Sequence, residues 1–468
     1  MDIPRHVFRE YDLRGVADAD LDDAFARALG RTFAATLARR GDGPSRVAVG
    51  RDGRLSSPRL FTALAEGIRD AGATVVDVGI GPTPMLYFAA HHLGTEGAVM
   101  ITASHNPGPD NGFKLMRGTA SCYGAELQAL ADAMAAADAA PARSAGAARG
   151  ALERADVADA YVAFVQNRTR LPRQARSVRF VVDAGNGAAG PLGLRTLRAL
   201  GLAPDPLFCD IDGTFPNHHP DPTVPANLEA LRARVKATGA GFGVAWDGDG
   251  DRIGVVDDAG DVLWGDKLLV LFARAVLREH PGAAILGEVK CSETLYADIA
   301  EHGGRPVVWK TGHSLIKAKM KQEGALLAGE MSGHMFFADR WPGFDDAIYA
   351  TARLLEIVGE GARLGDLLAD LPTTFATPEL RVSCPDAVKF DVVRRVLARY
   401  LPTHKVLDID GARVDFGDGA WGLCRASNTG PVLVLRFEAR DAAKLDAVRA
   451  EMEAVVREAI ERATSGGA

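Results

Sequence analysis

The stretch EGAVMITASHNPGPDNGFK, residues 96–114, joins an apolar run to a crowded polar loop. Its first part, EGAVMITAS, predicts a β-strand. Ser104, His105 and Asn106 end that run, and two prolines, two glycines and Lys114 follow within a few residues. An ordinary surface loop needs no such crowding of polar groups. The hydroxyl of Ser104 is therefore a candidate for chemistry.

The segments around this stretch set the fold class. SRVAVGRD (45–52) predicts a strand, SPRLFTALAEGIRDAG (57–72) a helix, and ATVVDVGI (73–80) the next strand. This alternation is typical of an α/β protein. The pattern restarts twice, and after DLLADLPTTFATPELRV it changes to successive strands and a last helix. We predict three α/β units and a smaller α+β unit, with limits at 1–150, 151–256, 257–368 and 369–468.

Composition narrows the class of protein. The 468 residues are 47% hydrophobic and 25% charged, and the net charge of −7 disfavours a general nucleic-acid partner. Neither a signal peptide nor an apolar run long enough to span a bilayer is present, so no membrane partner is expected. The five cysteines form no CxxC pair, which disfavours a zinc or disulfide framework. We expect a soluble, cytoplasmic protein.

The motif WDGDGDRIG (246–254) predicts a cation site. Asp247, Asp249 and Asp251 alternate with glycines that let the chain turn, so that three carboxylates converge. Three such groups about 5 Å apart repel by about 3 kcal/mol per pair at an effective dielectric near 20. Mg²⁺ prefers these oxygen ligands. A calcium-binding EF-hand is excluded because Arg252 and Asp258 occupy its glycine and glutamate positions.

A second glycine-rich turn leaves a different class of function open. Gly185, Gly187 and Gly190 match GxGxxG between a predicted strand and a predicted helix, and Asp205 or Asp210 could be the ribose-binding acid. Taken alone, this turn favours an NAD-dependent oxidoreductase. Glycines also serve close packing at strand-to-helix turns, so both interpretations stand on these residues.

Two later segments have the composition of ligand-binding loops. AGEMSGHMFF (328–337) carries Glu330, Ser332 and His334, which can hydrogen-bond neighbouring sugar hydroxyls. RASNTGP (425–431) offers a dense set of donors for a phosphate. Each segment alone is equally compatible with an ordinary polar turn.

In this order, TASHNP (102–107), DGDGDR (247–252), GEMSGH (329–334) and RASNTGP (425–431) resemble the motifs of the α-D-phosphohexomutase family. The resemblance spans nearly the whole chain and is closest to the bacterial phosphomannomutase/phosphoglucomutase branch. It implies four domains around one deep central cleft, the first three sharing an α/β mixed-sheet fold and the fourth a smaller α+β domain.

The resemblance also implies a reaction. Ser104 would be a phosphoserine that passes its phosphoryl group to a sugar monophosphate, and the resulting 1,6-bisphosphate would reorient before returning the other group. Mg²⁺ would be held by the Ser104 phosphate and the three aspartates of DGDGDR. His105 and Lys114 would position the transferred group. Lys114, Arg14 and His313 are the candidates for proton transfer, and the sequence does not decide among them.

The remaining implied roles concern substrate binding. Glu330 and Ser332 would bind equatorial sugar hydroxyls, and the RASNTGP loop would hold the phosphate that is not being transferred. Gly430 stands where relatives often carry a hydroxyl residue. The implied substrate-binding residues are Tyr11, Arg252, Lys290, Glu330, Met331, Ser332, Gly333, His334, Arg425, Ala426, Ser427, Asn428 and Thr429.

The motifs FREYDLRG (8–15) and GEMSGH favour mannose and glucose phosphates as substrates. Phosphoglucosamine mutase is the alternative within the family, although its members more often carry GTDGIRG-like and GEQSGH motifs. Glucose 1,6-bisphosphate, or mannose 1,6-bisphosphate, is the expected activator. The expected partners are small phosphosugars, and a monomer is expected.

Overall fold

The computed structural model describes residues 3–37, 43–138, 148–359, 361–428 and 430–465. Four separate β-sheets follow one another along the chain, each with its own helices. The alanine-rich segment 131–150, at the end of the first predicted unit, lies partly outside the described residues.

The first sheet is mixed, in the order β1-β5-β4-β2-β3-β7 with β6 beside β5. Strands β4, β2, β3 and β7 run parallel, whereas β5 returns antiparallel to β4 and carries β1 at its other edge. The strands are β1 (Leu13–Val16), β2 (Arg46–Arg51), β3 (Thr74–Ile80), β4 (Gly97–Ile101), β5 (Asp110–Arg117), β6 (Ala120–Ser121) and β7 (Leu152–Arg154); the helices are α1 (Asp23–Ala35), α2 (Ser57–Asp70), α3 (Thr83–Leu93) and α4 (Ala125–Asp138).

The second sheet repeats this plan in the order β12-β11-β10-β8-β9. Strands β10, β8 and β9 are parallel, and β11 returns antiparallel to β10. The elements are α5 (Ala158–Gln166), β8 (Phe180–Asp183), α6 (Gly190–Ala199), β9 (Asp205–Leu207), α7 (Glu229–Thr238), β10 (Phe242–Trp246), β11 (Ile253–Asp257) and β12 (Val262–Leu263).

The third sheet has the order β14-β13-β15-β16. Strands β14, β13 and β15 are parallel, and β16 returns antiparallel to β15. The elements are α8 (Gly265–Glu279), β13 (Ala284–Glu288), α9 (Glu293–Glu301), β14 (Arg305–Trp309), α10 (His313–Glu323), β15 (Leu327–Gly329), β16 (Met335–Phe337) and α11 (Ala347–Val358). In each of the three sheets a parallel strand is therefore joined by a short loop to an antiparallel partner.

The fourth sheet is wholly antiparallel, in the order β17-β22-β21-β20-β19 with β18 beside β22. The elements are β17 (Phe375–Ala376), β18 (Leu380–Ser383), α12 (Lys389–Tyr400), β19 (Lys405–Leu407), β20 (Ala412–Asp415), β21 (Trp421–Ala426), β22 (Val432–Ala439) and α13 (Ala442–Thr464). Three mixed α/β units and one smaller α+β unit confirm the predicted fold class.

The hydrophobic cores join the first three units and leave the fourth apart. One large cluster combines side chains of α3, of the second sheet and of α8 and α11, and Trp341 stacks on Tyr349 at 4.0 Å within it. The fourth unit has its own cluster between its sheet and its helices. A small cluster of Val289, Trp421 and Leu423 links the third unit to the fourth.

Among the described residues, no helix has both the length and the apolar composition needed to cross a bilayer.

Candidate active site

The four motif loops converge because each follows the end of a strand that points into the same space. The Ser104 loop follows β4, the Asp247 loop follows β10, the Glu330 loop follows β15, and the Arg425 segment ends β21. In α/β sheets the carboxyl ends of the strands form the usual ligand-binding edge.

Ser104 is buried, with 2% of its surface exposed, and its backbone has a positive φ of 52°. Its Oγ donates to Asp247 Oδ2 at 2.6 Å and lies 3.0 Å from His105 Nδ1. Arg54 Nη2 donates to the Ser104 carbonyl at 2.9 Å. A Cβ on Gly248 would lie 2.3 Å from that carbonyl, so only glycine allows the two loops to approach this closely.

The three aspartates of the DGDGDR loop converge as predicted. Asp247, Asp249 and Asp251 are each 0% exposed, and one carboxylate oxygen from each lies within 4.8 Å of the others. Lys114, from β5, places its Nζ 2.6 Å from Asp249 Oδ2 and 2.5 Å from Asp251 Oδ2. Thr83 Oγ1 also donates to Asp249 Oδ2 at 2.5 Å.

Burial and mutual repulsion govern the charges in this cluster. Burial, followed by the charges of Asp249 and Asp251, raises the pKa of Asp247 well above its usual value. Burial opposes ionisation of Asp249 as well, but the Lys114 ammonium outweighs it and lowers the pKa of Asp249. Burial disfavours the charged form of Lys114, but the carboxylates of Asp249 and Asp251 outweigh this effect and raise the pKa of its ammonium.

The aspartate cluster fits a divalent cation. Among the described residues, no hydrogen-bond donor reaches Asp249 Oδ1 or Asp251 Oδ1, although both atoms are buried. A buried carboxylate oxygen without a partner is costly, and three convergent carboxylates are the oxygen donors that Mg²⁺ takes. The residues present therefore suit Mg²⁺.

Arg252 connects the aspartate loop to the two histidines beside it. Its Nε donates to His334 Nε2 at 2.8 Å, and its Nη1 lies 3.5 Å from His105 Nε2. Burial lowers the pKa of His105 well below its usual value, and the charges of Arg252 and Arg14 act in the same direction. The backbone adds a further link, since Ile253 N donates to the Gly333 carbonyl at 3.0 Å.

Arg14 reaches the serine loop from β1. Its Nη1 donates to Asn106 Oδ1 at 2.9 Å, and its Nε donates to Asp12 Oδ2 at 2.8 Å. Both contacts hold the guanidinium at the rim of the Ser104 loop.

Tyr11 and His313 lie where the first, third and fourth units meet. The Tyr11 hydroxyl donates to the Thr311 carbonyl at 2.6 Å and accepts from Asn428 Nδ2 at 2.5 Å. The ring of His313 lies 5.9 Å from the ring of Tyr11 and 5.6 Å from that of His334. Burial, and then Lys317, lowers the pKa of His313 well below its usual value.

The GEMSGH loop projects one carboxylate and several small residues into this space. Glu330 is 2% exposed, and its Oε1 accepts from the Gly312 backbone N–H at 2.7 Å. Gly333 has a φ of 93°, and a Cβ there would lie 2.3 Å from the Ile253 carbonyl. Met331 and Ser332 are half-buried.

The RASNTGP segment approaches from the fourth unit. Arg425 is 5% exposed, and its Nε donates to Asp410 Oδ2 at 3.0 Å. Ala426 ends β21, and the Ser427 N–H donates to the Val432 carbonyl at 3.0 Å. Thr429, which was also predicted to bind phosphate, lies outside the described residues.

Lys290 lies opposite this segment, at the junction of the third and fourth units. Its Nζ donates to Glu379 Oε2 at 3.1 Å and lies 3.7 Å from Glu288 Oε1. Lys290 lowers the pKa of Glu379 to about 2.

Sequence reasoning missed the buried residues that connect these loops. Glu288 is 0% exposed and accepts hydrogen bonds from three different loops, and Asp345, also 0% exposed, lies 2.9 Å from His334 Nδ1 and 3.1 Å from Lys317 Nζ. Apart from the Lys290 N–H, the hydrogen-bond donors to Glu288 come from loops 23 and 43 residues along the chain, so no local motif marks it. A carboxylate at the end of the apolar run AAILGE was the one available signal.

Comparison with known proteins accounts for all four units. Family models described as phosphoglucomutase/phosphomannomutase match residues 5–140 (alpha/beta/alpha domain I), 159–260 (alpha/beta/alpha domain II), 264–375 (alpha/beta/alpha domain III) and 379–455 (C-terminal domain). The chain belongs to the phosphoglucomutase/phosphomannomutase family. The resemblance inferred from the four motifs is thus confirmed.

Relatives match this family member over almost their whole length. A phosphomannomutase/phosphoglucomutase of Pseudomonas putida is 46% identical over 96% of this chain and 94% of its own. A phosphoglucomutase of Neisseria gonorrhoeae is 43% identical over 97% of both chains. The crystal structure of a phosphoglucomutase/phosphomannomutase family protein from Burkholderia thailandensis superposes with a TM-score of 0.88 at 44% identity, covering 100% of this chain and 99% of that one.

The glycine-rich turn has a packing role in this member of the phosphoglucomutase/phosphomannomutase family. Gly187 lies against Gly248 of the aspartate loop, and the Ala188 N–H donates to the Gly248 carbonyl at 2.9 Å. Asp205, a candidate ribose-binding acid, is paired with Arg234 at 2.8 Å. The oxidoreductase interpretation is therefore not favoured.

Proposed function

We propose that this protein is a phosphohexomutase that interconverts hexose 6-phosphates and hexose 1-phosphates, with mannose and glucose as its sugars. One observation carries the proposal: the buried hydroxyl of Ser104 lies 2.6 Å from Asp247, in a cluster of three buried carboxylates. A hydroxyl next to a cation site is the arrangement that phosphoryl transfer needs. We assign the phosphoserine loop to domain 1–150, the aspartate loop to 151–256, the sugar loop to 257–368 and the phosphate loop to 369–468.

The first half-reaction begins with a phosphoryl group on Ser104. The free hydroxyl of the sugar monophosphate attacks phosphorus, a new P–O bond forms to the sugar, and the bond between phosphorus and Ser104 Oγ breaks. Of the three candidates for the base, Lys114 keeps its proton between Asp249 and Asp251 and a guanidinium such as that of Arg14 stays protonated, so the sugar hydroxyl would lose its proton to His313. Ser104 Oγ leaves with the electron pair of the broken bond. His313 Nε2 is buried and has no hydrogen-bond partner among the described residues, which suits an acceptor.

The second half-reaction is the first in reverse, with the sugar turned round. The 1,6-bisphosphate presents its other phosphate to Ser104, and that phosphoryl group returns to Oγ. The phosphate has then moved between C1 and C6. Glucose 1,6-bisphosphate or mannose 1,6-bisphosphate would therefore activate an enzyme that lacks the phosphate on Ser104.

The positive charges around Ser104 would neutralise part of the negative charge on the transferred phosphoryl group. Asp247, Asp249, Asp251 and the Ser104 phosphate would hold Mg²⁺, which, when bound, would stabilise negative charge on the phosphoryl oxygens. The Lys114 ammonium lies 2.6 Å from Asp249 and 2.5 Å from Asp251. Together with His105, it would orient the phosphoryl group between the two loops.

The other end of the substrate would be held by the third and fourth domains. The Glu330 carboxylate and Ser332 would accept from and donate to the sugar hydroxyls. Arg425, Lys290 and Tyr11 would surround the phosphate that is not being transferred, together with the backbone and side chains of residues 426–429. We propose a monomer as the working unit.

Coupled assays would test this function. Mannose 1-phosphate, glucose 1-phosphate and glucosamine 1-phosphate would each be supplied with Mg²⁺ and catalytic glucose 1,6-bisphosphate. We expect turnover of the first two at much higher kcat/KM than the third. A preference for glucosamine 1-phosphate would mean that the proposed sugar is wrong and that the enzyme is a phosphoglucosamine mutase. No turnover of any of the three compounds would contradict the proposed reaction.

A further inference from the structure

Glu288 is a buried carboxylate at the centre of the third domain that has no place in the proposed chemistry. It is the last residue of β13 and is 0% exposed. Strand β13 pairs with β14 on one side and β15 on the other, both in parallel. The carboxyl ends of the three strands therefore lie side by side, and the Glu288 side chain stands between the loops that follow them.

Each oxygen of this carboxylate is used by a different set of loop atoms. Oε2 accepts from the Lys290 N–H at 2.9 Å and from Thr311 Oγ1 at 2.6 Å. Oε1 accepts from the Met331 N–H at 3.3 Å and lies 3.7 Å from Lys290 Nζ. One side chain thus contacts the loops after β13, β14 and β15.

These three loops carry all the substrate contacts proposed for the third domain: Lys290, His313, and Glu330 with its neighbours to His334. Thr311 extends the connection further. Its N–H donates to Asp410 Oδ2 of the fourth domain at 3.0 Å, and its carbonyl accepts from Tyr11 of the first. A shift of Thr311 would therefore disturb contacts with the first, third and fourth domains.

We infer that Glu288 is a positioning residue for phosphosugar binding: it fixes the three loops in one arrangement and holds the Lys290 ammonium at the cleft. A buried carboxylate keeps its charge only where donors surround it, so the loops and the carboxylate stabilise one another. The inference rests on the proposed function, because it concerns the substrate of the same site. A purely structural role is the competing explanation.

The substitution Glu288→Gln separates the two roles. It keeps the shape of the side chain but turns an amide NH₂ toward donors, so at least one loop loses its acceptor. We expect KM for glucose 1-phosphate to rise by about tenfold or more, the effect of losing a charge-assisted hydrogen bond, with a smaller change in kcat. At saturating glucose 1,6-bisphosphate the phosphate on Ser104 should still form, because Glu288 does not contact the Ser104 loop.

Glu356→Gln is the matched control. Glu356 also belongs to the third domain and is a half-buried acceptor, receiving the Arg170 N–H at 2.5 Å and Arg340 Nη2 at 2.6 Å, but it contacts none of the motif loops in these hydrogen bonds. This variant should lower Tm and leave KM unchanged. An equal rise of KM in both variants would show that Glu288 only stabilises the fold, and it would overturn the inference.

Thr311→Val is the second variant. It tests the inference in case Glu288→Gln does not fold. It removes one donor to Glu288 while keeping the side-chain shape, and we expect a smaller rise of KM in the same direction. The stabilisation of Tm by glucose 6-phosphate should fall in parallel. Wild-type KM and a wild-type shift of Tm in Thr311→Val, or in a folded Glu288→Gln, would overturn the inference. Because the Tm shift measures binding alone, it tests Glu288 even if the wild type shows no mutase turnover.

Discussion

At the scale of single residues, the site depends on an unusual backbone conformation at Ser104 that neighbouring side chains hold in place. Ser104 has a φ of 52°, which costs a non-glycine residue of order 1 kcal/mol or more. Thr102 Oγ1, which accepts from the Ser104 N–H at 2.9 Å, and Arg54, which donates to its carbonyl, hold this conformation. The hydroxyl is thereby directed at Asp247.

Asp249→Asn tests the cation site. The amide removes one of three convergent negative charges and one partner of Lys114, so we expect weaker Mg²⁺ dependence and a large loss of kcat with the fold retained. An Mg²⁺ titration of initial rates measures this. Asp257→Asn is a suitable control, because Asp257 ends the next strand and accepts from the Asp261 N–H at 2.8 Å outside the cluster. Full activity of Asp249→Asn in excess chelator would refute the assignment.

Glu330→Gln tests the contact with the sugar. The substitution keeps the shape but removes a charge-assisted acceptor, which is worth about 1.5–3 kcal/mol. We expect a higher KM for mannose and glucose 1-phosphates, with the phosphate on Ser104 still present by intact mass. Unchanged KM and kcat would remove Glu330 from the site.

The sequence identifies the residues that carry chemistry better than those that hold them in place. Ser104 and the three aspartates stand in dense local motifs, so their type and spacing predict a reactive hydroxyl and a cation site, and the family resemblance of those motifs implies phosphoryl transfer. Glu288 and Asp345 do not stand in such motifs, because most of their partners lie in other segments of the chain: Thr311 and Met331 for Glu288, and His334 and Lys317 for Asp345. Contacts of that kind follow from strand order, which the sequence pattern leaves open.

At the scale of secondary structure, the site is built by turns between a parallel strand and its antiparallel neighbour. The alternation of apolar runs and helices predicts the α/β class, and these elements are confirmed. It does not predict that β5, β11 and β16 return antiparallel, since buried strands of either direction have the same apolar pattern. These returns form the short loops of Ser104, of the aspartates and of Glu330.

Gly248→Ala tests the contact between two of these loops. Its Cβ would lie 2.3 Å from the Ser104 carbonyl, so one loop must move. We expect a fall in kcat of tenfold or more with little change in KM, because misplacement near the reacting atoms costs rate. The steady-state rates of Gly43→Ala, where a Cβ meets nothing within 4 Å, serve as the control. Wild-type kcat in Gly248→Ala would show that the loops tolerate separation.

At the scale of the whole molecule, the first three domains form one packed body and the fourth is attached by fewer apolar contacts. The large core crosses the first three domains, whereas Val289, Trp421 and Leu423 form the small apolar link to the fourth. Charged contacts supplement that link: Arg413 donates to the Cys291 carbonyl at 2.8 Å, and Arg274 donates to Asp370, close to the predicted limit between the third and fourth units, at 2.8 Å. Polar interfaces of this kind permit domain motion.

Arg425→Ala tests whether the fourth domain holds the distal phosphate in both orientations of the bisphosphate. Loss of a charge-assisted contact worth about 1.5–3 kcal/mol should raise KM roughly ten- to a hundredfold. It should also increase escape of the intermediate, and hence the requirement for added glucose 1,6-bisphosphate. Scattering profiles with and without substrate should show closure in the wild type and less in the variant. A variant equal to the wild type in KM and bisphosphate requirement would exclude this loop as the phosphate clamp.

The central claim is that Ser104 carries the transferred phosphoryl group. The direct measurement is intact mass followed by peptide mapping after incubation with glucose 1,6-bisphosphate and Mg²⁺, with Ser104→Ala in parallel. We predict one added phosphoryl group, located on Ser104 in the wild type and absent from the variant, which should also lack mutase activity. A phosphoryl group on another residue, or full activity of Ser104→Ala, would contradict the account.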